Sequence, residues 1–138
     1  MYILKSTTKN ELRKVQAVIK KELASEKIIQ DIYEYIFNAE GKKTRALLCL
    51  LASKSSNVKP SSRTDLASII ELLHTATLVH DDVVDESELR RGAKSVNQVW
   101  TNSYSVLIGD FIYSKAFILM VKLGIPSILD ELAKATND

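Results

Sequence analysis

Between His74 and Gly92 the chain reads HTATLVHDDVVDESELRRG, so three aspartates and two arginines close an apolar run. At about 100° per residue, His74, Leu78, Asp81 and Asp85 fall in one narrow sector of a helix, and Asp82 lies to one side of it. Asp81 and Asp85 then stand one turn apart, where like charges oppose helix formation by roughly 0.2–0.5 kcal/mol. They also stand near the helix C-terminus, where the macrodipole presents about −0.5 of a charge and disfavours anions. A divalent cation held between the two carboxylates turns both penalties into attraction. Oxygen ligands of this kind select a hard cation, and Mg²⁺ commonly takes one or two carboxylates while keeping waters and the phosphate oxygens of a substrate. Arg90 and Arg91 follow closely, and guanidinium forks match phosphate oxygens. An acidic helix end answered by surface ion pairs uses the same residues, and residue types alone leave both readings open.

A second constellation is EGKKTRALL, residues 40–48. Gly41 lets the backbone approach a ligand, and Lys42 and Arg45, three apart at a helix start, project near one another beside free backbone N–H groups. That is an anion site in outline. It is not a nucleotide P-loop, because there is one glycine and the spacing to lysine differs. A solvated basic turn is the plainer alternative.

Both constellations need helices to carry them. Glycine stands only at 41, 92, 109 and 124 and proline at 60 and 126, and the apolar residues between recur at helical spacing, which predicts an all-α fold. The pattern predicts helices over about 9–24, with Leu12, Val15, Ile19 and Leu23 on one stripe, and over about 28–38 and 44–53. A polar loop at 54–62 offers a serine or threonine cap to a long helix over about 64–86. A short helix follows at 96–100, then a long one at 103–123 ended by Gly124, and Pro126 suits the first turn of a last helix.

Composition narrows the partners. With 138 residues and a net charge of +2, the chain suits one domain and shows no broad basic footprint for nucleic acid. No apolar run approaches the roughly 20 residues of a spanning helix, and no leader pattern opens the chain, so it reads as cytoplasmic. Cys49, the single cysteine, lies in the apolar run ALLCLLAS, which excludes an internal disulfide and makes the thiol a packing group.

Taken together and in order, GKKTR, the DDxxD motif at 81–85, RRG and SVLIGDFIYSKAF resemble the trans-isoprenyl diphosphate synthases, most of all the long-chain polyprenyl members. The resemblance implies the N-terminal portion of the isoprenoid synthase helical bundle, with the whole of 1–138 an incomplete domain that has the first aspartate-rich motif and lacks the second. It implies Mg²⁺ bridging Asp81 and Asp85 to an allylic diphosphate, with Asp82 in support and Arg90 facing that diphosphate. Lys42, Arg45, His74 and Arg91 become ligands for isopentenyl diphosphate. Ala76 and Thr77 occupy the positions where short-chain members place aromatic rings, and their small size implies a long product. Gly109 implies close helix packing, Asp110 has no assigned part, and His80, off the metal face, is structural. The sequence departs from the family at Glu40, where a glycine is usual, and at Ala46, where proline is usual.

The implied reaction is ionisation of an allylic diphosphate and attack on the resulting cation by the double bond of isopentenyl diphosphate, with electrostatics and positioning as the means of catalysis. Three states of such a chain stay open. It is one part of a synthase that works with a second part, a non-catalytic subunit of a complete synthase, or an inactive remnant. The helices bearing LLCLLA, IIELLHTATLV and FIYSKAFILMV carry apolar faces that imply a homodimer, or a complex with a C-terminal half or a complete synthase.

Overall fold

The computed structural model describes residues 2–24, 27–38, 43–56, 58–90 and 92–136, with side chains at 2–7, 37 and 38 left aside. Lys42 and Arg91, with Glu40 and Gly41, lie outside the described residues. Seven helices make up nearly all of what is described: α1 (Tyr2–Leu23), α2 (Lys27–Asn38), α3 (Thr44–Lys54), α4 (Pro60–Val84), α5 (Val96–Val99), α6 (Asn102–Leu123) and α7 (Pro126–Ala135). The all-α expectation holds, with one addition. Strands β1 (Leu89–Arg90) and β2 (Ala93–Lys94) pair antiparallel after α4, with Arg90 opposite Ala93. Gly92 makes the turn at φ 81°, a left-handed conformation that glycine adopts without penalty. Two-residue strands carry too little alternation to be seen in a sequence.

Helix α4 is the centre, packing on α6, α3 and α1. Apolar side chains four apart build the shared core: Val15, Ile19 and Leu23 from α1, Ala46 and Leu50 from α3, and Ile108, Ile112, Ala116 and Met120 from α6. Against these α4 sets Ile69, Leu72, Leu73, Ala76 and Val79. Each fully buried aliphatic side chain contributes roughly 1.5–3 kcal/mol of transfer free energy, so α4 is fixed over most of its length by burial. Of the predicted α1 stripe, Val15, Ile19 and Leu23 are buried and Leu12 is partly so.

Two boundaries differ from expectation. Helix α1 begins at Tyr2 rather than near residue 9, and α4 begins at Pro60 rather than near 64. Lys59 occupies the N-cap of α4 without a side-chain cap bond, so no serine or threonine caps it. Proline at the first helical position has the right φ and no orphan N–H to satisfy, and it starts the helix where a cap was expected. Gly124 ends α6 at φ 66°, as the sequence predicted, and Thr101 caps its start by accepting from the Tyr104 N–H at 3.3 Å. Cys49 is half-buried, and burial pushes its thiol pKa up, against a lesser opposing pull from Ser53.

Candidate functional site

The site lies along one stripe of α4 and what packs beside it. At its middle, the Arg45 guanidinium at the start of α3 stands 2.9 Å from His74 Nε2. A guanidinium only donates, so Nε2 accepts and the ring proton belongs on Nδ1. Two predicted diphosphate ligands, 29 positions apart in the chain, are thereby brought together.

Sequence reasoning missed the residue that holds this junction. Glu71, one turn before His74 and 8% exposed, accepts the Ala46 N–H at 3.0 Å through Oε1. A buried carboxylate at a helix N-terminus satisfies an orphan donor and meets the positive end of the dipole. The departure at Ala46 thus has a local consequence, because proline has no N–H to give. Beside it Lys43 takes φ 45°, and its buried Nζ has no hydrogen-bond partner among the described residues. Burial lowers the Lys43 pKa, and the charge of Glu71 raises it by less. The signal that could have shown Glu71 was its i,i+3 spacing to His74 on the face turned to α3.

At the C-terminal end of α4 the three aspartates divide. Asp81 and Asp85 are exposed, and Asp85, as the C-cap, continues the helical ladder by donating its N–H to the Asp81 carbonyl at 2.8 Å. They remain one turn apart, as the wheel predicted. Asp82 is 1% exposed and receives Arg90 from the hairpin: Nε lies 2.8 and 2.7 Å from its two oxygens and Nη2 2.6 Å from Oδ1. The Arg90 pKa is raised first by this hydrogen bonding, then, against some loss to burial, by the charges of Asp82, Asp81 and Asp85. All three carboxylates therefore act on one guanidinium. The Asp82 carbonyl also accepts from Asn97 Nδ2 at 3.2 Å and from the Ser87 N–H at 2.9 Å, and the Ser95 hydroxyl bonds the Ser87 carbonyl. In this arrangement Arg90 is engaged by Asp82.

The two positions assigned to product length have different surroundings. Ala76 is fully buried in the core, while Thr77 is exposed and donates its hydroxyl to the His74 carbonyl at 2.9 Å. An aromatic ring at Ala76 would have to displace core side chains, an overpacking cost of about 1–3 kcal/mol; at Thr77 it would meet solvent. His80 and Gly109 touch directly, and Asp110 pairs with His80 at 3.4 Å.

The donor set suits a weakly held hard cation. No cluster of three or more His, Cys, Asp or Glu side chains forms a metal cage among the described residues. Two exposed carboxylates one turn apart match a cation that keeps most of its waters and completes its shell with phosphate oxygens.

Comparison with known proteins gives the lineage. The chain is 39% identical over 131 residues to the octaprenyl diphosphate synthase of Escherichia coli, which covers 94% of this chain and 41% of that protein. Against the geranyl-diphosphate-specific all-trans-nonaprenyl-diphosphate synthase of Rhodobacter capsulatus it is 44% identical over 112 residues, covering 79% of this chain and 34% of the relative. Among solved structures, a decaprenyl diphosphate synthase from Rhodobacter capsulatus superposes with TM-score 0.91 at 35% identity, over 97% of this chain and 42% of that one. A polyprenyl synthase from Caulobacter crescentus, complexed with calcium and isoprenyl diphosphate, gives 0.90 at 36% identity, over 97% and 41%. The chain thus spans about two fifths of the length of such relatives. No helix among the described residues is long and apolar enough to cross a membrane. Residues 26–138, from the segment before α2 through both constellations to the end of the chain, match the polyprenyl synthetase family pattern, and the chain belongs to that family.

Proposed function

We propose that this chain is the N-terminal, diphosphate-binding part of a long-chain polyprenyl diphosphate synthase, a trans-prenyltransferase that joins isopentenyl diphosphate to an allylic prenyl diphosphate. The observation that carries the reading is the single stripe of α4 on which His74, already paired with Arg45, is followed seven residues later by Asp81 and then by Asp85. At about 1.5 Å per residue His74 and Asp81 lie about 10 Å apart along the helix, a spacing that suits two diphosphates side by side on one rigid element.

Each end has its own task. Arg45 and His74, with Lys42 and Arg91, bind the diphosphate of isopentenyl diphosphate through charge-assisted hydrogen bonds. Asp81 and Asp85 would hold Mg²⁺ for the allylic diphosphate, and Arg90 would lend its positive charge to the same ligand. Mg²⁺, when bound, supplies stabilisation of the negative charge that develops on the departing diphosphate. A relative at 36% identity crystallised with calcium and isoprenyl diphosphate supports a divalent cation in this family. Asp82 supports the centre by fixing Arg90. Thr77, small and exposed, leaves an elongating prenyl chain unobstructed, and the octaprenyl and nonaprenyl products in the relatives' names support a long product.

Exposed apolar faces suggest an assembly. Helix α6 is apolar nearly all round and exposes Leu107 at 65% and Val121 at 69%, and Leu48 on α3 is 61% exposed. Such faces fit a homodimer, or a complex with a chain that supplies the rest of the bundle and its second aspartate-rich motif. A cytoplasmic setting suits the free thiol of Cys49. The test is prenyl elongation with Mg²⁺, assayed with a polypeptide supplying the remainder of a related synthase. Long prenyl products that vanish with Arg45→Ala are expected; an assembled complex whose output ignores Arg45→Ala and Asp85→Ala contradicts the proposal.

A further inference from the structure

The last turn of α4 is an unfavourable place for a helix to continue. It carries Asp81 and Asp82 with Asp85 just beyond, and it has no basic residue to answer the dipole. Its grip comes from other elements. The hairpin and α5 act on Asp82 through Arg90 and Asn97. On α6 the grip is taken by His80 of α4 itself, against Gly109, the Val106 carbonyl and Asp110.

The His80 ring lies on the backbone of Gly109, which is buried. A Cβ built on Gly109 would come 2.1 Å from His80 Nε2 and 2.4 Å from Cδ2, so no other residue type leaves room for the ring. Nε2 stands 3.2 Å from the Val106 carbonyl oxygen and 3.4 Å from Asp110 Oδ1. A carbonyl only accepts, so Nε2 carries a proton and donates it. Ring shape and hydrogen bond together define one seat on α6. Sliding α4 by one residue, about 1.5 Å, or rotating it would take the ring off this seat and its Nε2 out of reach of the Val106 carbonyl. Asp81 follows His80 and projects about 100° away from it, so a seated His80 turns Asp81, and Asp85 one turn on, off α6 and toward solvent, where both are found exposed.

We propose that His80 is a positioning residue, keyed into the notch left by Gly109, that sets the rotation of α4's last turn so that Asp81 and Asp85 converge on one cation. The cation itself rests on the function proposed above; the key and notch do not. Gly109 then has a stated purpose, which is to admit the ring, and Asp110 steadies the imidazole from its solvent side.

The experiment uses the purified chain with His80→Ala, Gly109→Ala, His80→Gln and the His80→Ala/Gly109→Ala double variant. Three quantities are read: the thermal midpoint, amide exchange over 81–86, and affinity for a non-ionisable allylic diphosphate analogue with and without Mg²⁺. Gly109→Ala should evict the ring, quicken exchange over 81–86 ahead of the middle of α4, and lower the Mg²⁺-dependent affinity about tenfold or more. Affinity without Mg²⁺, in which Asp81 and Asp85 hold no cation, should hold, which a general loss of structure would not allow. In the double variant Gly109→Ala should add little, because the atoms it strikes are gone. His80→Gln, which keeps a donor for Val106, should recover part of the loss. If Gly109→Ala alone does not fold, folding of the double variant is the same evidence for the notch, and its failure to fold overturns it. Additive effects of the two substitutions overturn the keyed contact. A wild-type chain that binds the analogue without regard to Mg²⁺ removes the metal reading and His80's purpose with it; with that coupling present, a His80→Ala chain that retains it in full overturns the positioning role alone.

Discussion

From Thr64 to Val79, helix α4 holds every one of its buried residues but Asp82, while from Asp81 to Asp85 only Asp82 is buried. The first stretch is held by apolar contact with α1, α3 and α6. The second is held by polar groups reaching in from the hairpin, α5 and α6. The difference teaches how to read substitutions in this protein. In the first stretch a changed apolar side chain acts on stability, because its only work is packing, while Glu71, His74 and Thr77 on the same stretch carry polar contacts. At the acidic end the exposed carboxylates contribute little to the fold, so on the proposed function a change there acts on ligand binding.

The comparison can be broken from either side. The largest expected effect is Leu72→Ala in the fully buried stretch, which should cost about 2–5 kcal/mol by denaturant unfolding and leave any surviving diphosphate binding close to normal. Asp82→Ala comes next and tests the border. It removes a buried carboxylate and leaves Arg90 unpaired, but Arg90 is 34% exposed, so solvent screening cuts the usual buried-pair penalty to about 1–3 kcal/mol. Amide exchange over the hairpin should quicken with it. Glu71→Ala leaves the Ala46 N–H without an acceptor and should cost about 1–2 kcal/mol, with weaker isopentenyl diphosphate binding as the α3 start loosens. Glu71→Gln keeps an acceptor oxygen and should recover most of that loss. Smallest in stability is Thr77→Phe, exposed and within about 0.5 kcal/mol of the parent, yet in an assembled synthase it should shorten the products. An unchanged product distribution would take Thr77 out of length control.

Much of this was legible in the sequence, and the reason differs by element. The core stripes of α1 and α4 show through because burial imposes a spacing of three and four on apolar residues. Asp81 and Asp85 stand out in the sequence because they break rules of charge and dipole that ordinary helices keep, and His74 because it shares their helical sector and the resemblance gives it a role. Glu71 stayed hidden, since a glutamate inside a helix is unremarkable until a neighbouring helix start is known to lie against it. The hairpin at Leu89–Lys94 was hidden by its shortness, and His80 by its place off the acidic face. Its partner is the absent side chain of Gly109, 29 positions away, and a notch of that kind exists only once α4 and α6 are packed.

The central claim is that the acidic end of α4 serves a cation and a diphosphate rather than the fold, and Asp81→Asn tests it most directly. The substitution relieves the like-charge pair with Asp85 and gives up some attraction to Arg90, so stability should stay within about 0.5 kcal/mol of the parent. Calorimetric titration of parent and variant with an allylic diphosphate analogue, with and without Mg²⁺, gives the answer in one experiment. The account predicts tighter binding with Mg²⁺ for the parent and no such gain for a stably folded Asp81→Asn chain. An Asp81→Asn chain that keeps the full Mg²⁺-dependent gain, or one that loses its fold instead, would contradict it.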